Sequence, residues 1–142
     1  MNVSEIMTGR VVTVGQDEPV MAAVRLLKRH NLGALPVTDS AGRLRGLVTD
    51  RDIVLRCVAA GDDPGTLRIS EIMSRGILTA QPGDSVEQAA ACMAREQIRR
   101  LPVTEDGRVV GMVSLCDMAR RENCRRECSR AIESISASVK IR

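Results

Sequence analysis

Apolar positions along this chain follow two rhythms. Val11-Val12-Thr13-Val14 is a short β-branched run that predicts a strand. Val20, Ala23, Val24 and Leu27 then recur at i, i+3, i+4 and i+7, the spacing of one apolar stripe on a helix. Pro19 suits the first turn of that helix, where a missing N–H costs nothing. The apolar runs from Ala34 to Val37 and from Leu44 to Val48 are parted by the turn-forming Asp39-Ser40-Ala41-Gly42, which predicts a strand pair. Residues Asp50 to Ala60 predict a second helix, closed by Gly61 and Pro64.

The whole order then returns. Val86, Ala89, Ala90 and Met93 repeat the helical stripe, and Ser85 with Gln88 has the spacing of a capping box. Strands follow from Leu101 to Val103 and from Val109 to Val113, then a helix from about Leu115. Val3-Ser4-Glu5-Ile6-Met7-Thr8 recurs 66 residues on as Ile69-Ser70-Glu71-Ile72-Met73-Ser74, and Leu35-Pro36-Val37-Thr38 as Leu101-Pro102-Val103-Thr104. Gly46-Leu47-Val48-Thr49 returns 65 on as Gly111-Met112-Val113-Ser114, one residue having been shed in the turn near Ser40. An internal repeat predicts equivalent halves, and paired halves leave clefts in which small molecules bind. The expected division is a first repeat at 1–61, a linker at 62–68, a second repeat at 69–121 and a tail at 122–142. Each repeat reads as strand, helix, strand, strand, helix, hence an α/β fold with two βαββα repeats, each holding a three-stranded sheet, in a pseudo-twofold pair.

The tail has no counterpart in the first repeat. Cys124, Cys128, Ala131, Ile132 and Ile135 form a further helical stripe, so a packed helix is expected there. The end of the chain is also basic, with Arg120 and Arg121 just before the tail and Arg125, Arg126, Arg130, Lys140 and Arg142 within it set against Glu122, Glu127 and Glu133.

Composition narrows the function. The chain lacks Phe, Trp and Tyr, so the core is aliphatic and base stacking on aromatic rings is excluded. Nucleic acid is therefore disfavoured as a partner, and the net charge of only +3 agrees. No apolar run reaches the ~20 residues of a membrane helix, and the N-terminus lacks a signal pattern, so the expectation is a cytoplasmic protein without a membrane partner. Cys57, Cys92, Cys116, Cys124 and Cys128 are odd in number and contain no C-x-x-C, and His30 is the single histidine. That set favours small buried thiols over a disulfide framework or a metal site. His30, at a helix end, complements the helix dipole. Met7, Met21, Met73, Met93 and Met112 read as core filler. Nothing resembles a catalytic constellation, so no enzyme is expected.

The positions with chemistry are Thr49-x-x-Asp52 and its twin Ser114-x-x-Asp117, each where a strand passes into a helix. A hydroxyl followed three residues later by a carboxylate caps free backbone amides. The same carboxylate can accept hydrogen bonds from two ribose hydroxyls.

Ile6-Met7-Thr8, Gly33-Ala34-Leu35-Pro36-Val37, Gly46-Leu47-Val48-Thr49-Asp50-Arg51-Asp52 and their second-repeat partners resemble the CBS domain, named for cystathionine β-synthase. The resemblance runs from about Val3 to Arg121 and is to a stand-alone CBS pair. It implies a regulatory sensor with two clefts that take adenosine derivatives: AMP, ADP or ATP, with S-adenosylmethionine or NAD also admitted, and no obligatory cofactor. It further implies that each cleft draws on both repeats. One pocket would hold Thr49 and Asp52 with Thr79, Ile98, Arg99 and Arg100. The other would hold Ser114 and Asp117 with Thr13, Leu32, Gly33 and Ala34. Arg99 and Arg100 read either as solvated surface arginines or as a phosphate clamp, since guanidinium donors match phosphate oxygens. Their counterparts Gly33 and Ala34 cannot clamp phosphate, so the Asp52 pocket is expected to be the better nucleotide site.

CBS pairs also often join through their second helices. Ile53, Val54, Cys57, Val58, Met118 and Ala119 are the apolar positions there, and a homodimer is expected. The competing reading is an interaction module with empty pockets, docking an unidentified regulated protein through those helices or the basic tail.

Overall fold

The computed structural model describes residues 1–121 and 124–137. Glu122, Lys140 and Arg142 of the basic tail lie outside the described residues. In chain order the elements are α1 (Val3–Ile6), β1 (Val14–Gly15), α2 (Val20–His30), β2 (Ala34–Thr38), β3 (Leu44–Thr49) and α3 (Asp50–Ile53), which widens into a π-helical turn (Val54–Val58). A short 3-10 turn (Ile69–Glu71), α4 (Val86–Glu96), β4 (Arg100–Glu105), β5 (Arg108–Ser114), α5 (Leu115–Ala119) and α6 (Arg125–Ala137) complete it.

The described chain forms two compact units that do not follow the sequence repeats. One comprises Val12–Ile77 with Gly107–Val109, and the other the stretches Met1–Val11, Leu78–Asp106 and the described residues from Val110 onward. The leading segment of each repeat is thus housed with the body of the other.

In the unit built on Val12–Ile77, β1, β2 and β3 form one sheet in that order. β1 runs parallel to β2, Val14 opposite Val37, while β2 and β3 are antiparallel, Ala34 opposite Thr49. The helix α2 buries Val20, Ala23 and Leu27 of the expected stripe, with Val24 only partly covered. Asn31 ends it in the left-handed region, at φ 52°. Ile69 and Ile72 dock into the same core, Ile69 with no exposed surface. The Ile69 and Ser70 amides donate to the carbonyls of Glu18 and Gln16 (both 2.9 Å). Burying one such isoleucine stabilises by about 1.5–3 kcal/mol.

The other unit repeats this plan with Val3. The Val3 amide donates to the Asp84 carbonyl (2.8 Å) and the Ser4 amide to that of Pro82 (3.0 Å). Val3 is fully buried among Val86, Ala89, Ala90 and Met93, the complete second stripe. The capping box on α4 forms as expected: the Gln88 amide donates to Ser85 Oγ (3.0 Å) and the Ser85 amide to Gln88 Oε1 (2.9 Å).

Two sequence expectations need correction. The second sheet contains only β4 and β5, and the strand expected alongside them reduces to one parallel bridge between Ala80 and Val103. In the first sheet the Gln16 amide extends the pairing by donating to Thr38 (2.9 Å). Pro82 holds the equivalent position and has no N–H to donate, so pairing stops at Ala80. The strand expected from Val11 to Val14 is likewise shortened, its ladder beginning only at Val14. The second correction concerns the tail. Helix α6 forms and buries Cys128, Ala131 and Ile135, with Cys124 buried just before it. Ile132 is 47% exposed. It sits about 70° round the helix from the centre of the buried stripe, too far to share it.

Candidate functional site

Strand β3 ends at Thr49, and the chain enters α3 through a reciprocal cap. The Asp52 amide donates to Thr49 Oγ1 (3.0 Å), and the Thr49 amide donates to Asp52 Oδ2 (3.0 Å). Extended backbone at Thr49 places its hydroxyl beneath the first turn. Asp52 is the one buried charged side chain among the described residues, 7% exposed. Ser74 Oγ lies 3.4 Å from Asp52 Oδ1 and 3.5 Å from Oδ2. Arg56, one turn along, brings Nη1 to 3.5 Å from Oδ1. The same nitrogen donates to the Ile72 carbonyl (2.9 Å) and reaches Ser74 Oγ (3.4 Å).

The other unit has the same cap with a different surround. The Asp117 amide donates to Ser114 Oγ (3.2 Å), while the Ser114 amide (2.8 Å) and Oγ (3.0 Å) both donate to Asp117 Oδ2. Oδ1 of Asp117 faces Arg120 Nη1 at 3.9 Å. Arg121 occupies the place of Arg56 and donates to the Glu5 carbonyl (3.1 Å), tying the leading segment as Arg56 ties Ile72.

Each unit brings part of the expected site set together. The Asp50 amide donates to the Gly33 carbonyl (3.1 Å), and Ala34 pairs with Thr49, so the Gly33-Ala34 backbone lies beside the Thr49–Asp52 cap. The Leu115 amide donates to the Arg99 carbonyl (3.0 Å), so Arg99 lies beside the Ser114–Asp117 cap. Thr13, Leu32, Thr79 and Arg99 are exposed, whereas Gly33, Thr49, Ile98, Arg100, Ser114 and Asp117 are half-buried and Ala34 is buried. The site set therefore combines solvent-facing groups with carboxylates fixed at strand ends.

Arg56 and Ser74 were not singled out by motif. The available signal was positional, since Arg56 matches Arg121 and Ser74 matches Thr8 in the repeat. Of the apolar dimer positions, Ile53, Cys57 and Met118 are buried within their own units, while Val54 and Val58 are 55% and 61% exposed and Leu55, beside them, 50%.

Among the described residues no cluster of three or more His, Cys, Asp or Glu side chains could hold a metal, and no helix is long and apolar enough to cross a membrane. Burial pushes the thiols of Cys57, Cys124 and Cys128 above their ordinary range. Asp62 and Asp63 add to the effect at Cys57, Glu127 at Cys124 and Cys116 at Cys128. All three thiols remain protonated at neutral pH and carry no nucleophile.

Comparison with known proteins finds one family twice along the chain. The CBS domain model matches residues 3–58 and 69–123. The CBS domain-containing protein YhcV of Bacillus subtilis is 40% identical over 135 residues, 95% of each chain. Hypoxic Response Protein I, solved with two coordinated zinc ions, superposes with a TM-score of 0.79 at 36% identity, over 85% of this chain and 98% of its own. The CBS domain pair of MJ0100, solved with 5′-methylthioadenosine and S-adenosyl-L-methionine, gives a TM-score of 0.75 at 32% identity, over 84% of this chain and 94% of its own.

Proposed function

Since this chain belongs to the CBS-domain family, we propose that it is a non-enzymatic regulatory module that binds an adenosine-type ligand at Asp52 and Asp117. The supporting observation is the pair of caps. Each presents a carboxylate held in place by its own strand end, and a fixed carboxylate can accept both hydroxyls of a ribose without first paying to order itself. The MJ0100 pair, which holds two adenosine compounds, supports the ligand class. AMP, ADP and ATP are the nucleotides proposed. Residues Thr79, Ile98, Arg99 and Arg100 are proposed to complete the Asp52 site, and Thr13, Leu32, Gly33 and Ala34 the Asp117 site. The protein is proposed to work in the cytoplasm as a homodimer.

Thermal denaturation against AMP, ADP, ATP, NAD and S-adenosylmethionine tests the reading. A ligand binding only the folded state stabilises it by about 2.7 kcal/mol at a hundred times its Kd. For a chain of this size that raises Tm by roughly 5–10 °C. A flat response to all five compounds removes this reading and leaves the interaction module.

A further inference from the structure

Asp52 is already occupied by its own unit. We infer that Ser74 and Arg56 are a built-in competitor for the ligand at Asp52, so that filling this site frees the Ser74 hydroxyl and loosens the Ser74 end of the segment that begins at Ile69; this rests on Asp52 being a ligand site.

The distances carry the inference. The Thr49 amide holds Oδ2 at 3.0 Å, a full-strength bond that orients the carboxylate. Ser74 Oγ at 3.4 and 3.5 Å and Arg56 Nη1 at 3.5 Å sit at the outer limit of bonding, on the lone pairs a ribose diol needs. Ser74 has one hydroxyl proton to share between two oxygens. A diol offers two at full-strength distance, so it displaces the serine. Ser74 is no loose residue, however. Its amide donates to the Leu47 carbonyl (2.8 Å), the Leu47 amide donates to the Ser74 carbonyl (3.0 Å), and Arg56 holds Ile72 two residues earlier. The carboxylate, the arginine and the Ser74 hydroxyl form one small network, and a ligand that takes the carboxylate withdraws the anion that Ser74 and Arg56 share.

The other unit lacks this device. Among the described residues, Oδ1 of Asp117 is approached by Arg120 alone, at 3.9 Å. Among the described residues Asp117 takes its side-chain bonds from Ser114 and its ion pair from Arg120, not from Thr8, the counterpart of Ser74, while Arg121 donates to the Glu5 carbonyl. Ligand at Asp52 is thus coupled to loosening at Ser74, and ligand at Asp117 has no equivalent contact to displace.

Calorimetry with AMP and with S-adenosylmethionine on the full chain tests this, together with hydrogen exchange at the Ser74 amide. Ser74→Ala is expected to tighten the Asp52 site about five-fold, the loss of one competing hydrogen bond. Ser74→Thr restores the hydroxyl and is expected to restore wild-type affinity, and Thr8→Ala leaves the Asp117 site unchanged. In the wild type, ligand is expected to speed exchange at Ser74 while slowing it in the cores. Binding that Asp52→Ala abolishes but Ser74→Ala leaves unaltered overturns the competition alone, as does slower exchange at Ser74 with ligand bound. Silence of the wild type and every variant to both probes overturns the ligand site itself, and the competition with it.

Discussion

A Cβ on Gly46 would lie 2.5 Å from the carbonyl oxygen of Ser74, closer than such atoms approach. Strand β3 meets the Ile69–Ser74 segment here backbone to backbone, and Met73 Sδ crowds the same point at 3.1 Å. Gly111 is the equivalent in the other unit, but its nearest neighbour is the flexible tip of Met7 (2.5 Å), with the Thr8 carbonyl at 3.1 Å.

The two glycines therefore differ in tolerance. Gly46→Ala pushes on backbone and is expected to destabilise by about 1–3 kcal/mol. Gly111→Ala can be met by rotating a methionine and is expected to cost less. Urea unfolding of the two variants measures the difference, and equal midpoints would show that the Ser74 contact yields as easily as a side chain.

The elements of this fold are legible in the sequence wherever the physics is local. The stripes of α2 and α4, the strand pair Ala34–Thr38 and Leu44–Thr49, and the Ser85–Gln88 cap need only neighbours within a few residues. The exchange of leading segments is not local. Val3 and Ile69 declare themselves apolar, but nothing nearby says which core receives them. The short second sheet was in principle readable, because Pro82 replaces Gln16 at a donor position. The carboxylates Asp52 and Asp117 were visible from spacing. Their unequal surroundings were not, since Ser74 reaches Asp52 across 22 residues.

The expected partnership of Arg100 separates two compositions of the ligand site. If Arg100 serves the Asp52 site, Arg100→Ala weakens that site by roughly 10–100-fold, the loss of one charge-assisted bond to phosphate. The Arg99 backbone lies beside the Ser114–Asp117 cap, and the opposite outcome would assign this arginine pair to Asp117. Calorimetry with ATP on Arg100→Ala in Asp52→Ala and Asp117→Ala backgrounds decides. The substitution has no further effect in whichever background already lacks its site.

The buried thiols give the protein an alkaline limit. Burial holds Cys57, Cys124 and Cys128 protonated when folded, and the unfolded chain releases those protons in the ordinary thiol range, about pH 8.5. Their folded values are raised, so this contribution is fully present below the unfolded value and is lost as pH rises above it. Urea midpoints are expected to fall between pH 8 and 10, less steeply in Cys57→Ala. In the native protein a thiol reagent is expected to label exposed Cys116 first and the three buried thiols slowly. Rapid labelling of Cys124 and Cys128 at neutral pH would contradict their burial.

Homodimerisation is expected to depend on the π-helical turn. Val54, Leu55 and Val58 are 55%, 50% and 61% exposed and lie next to one another on one short stretch. Grouped exposed aliphatics of this size mark a surface that another surface covers. Their neighbours Ile53 and Cys57 are committed to the core, so the turn cannot roll to bury them without uncovering those. A second copy supplies an identical apolar patch, and an isologous contact places it against its own twin. Leu55→Glu puts two like charges into that contact while leaving a side chain already half-exposed in the monomer. Light scattering is expected to give a dimer mass for the wild type at micromolar concentration and a monomer mass for Leu55→Glu, with the same Tm within about 2 °C at dilutions where the wild type is itself dissociated. A wild-type monomer at that concentration, or a variant that remains dimeric, would remove this turn from the interface.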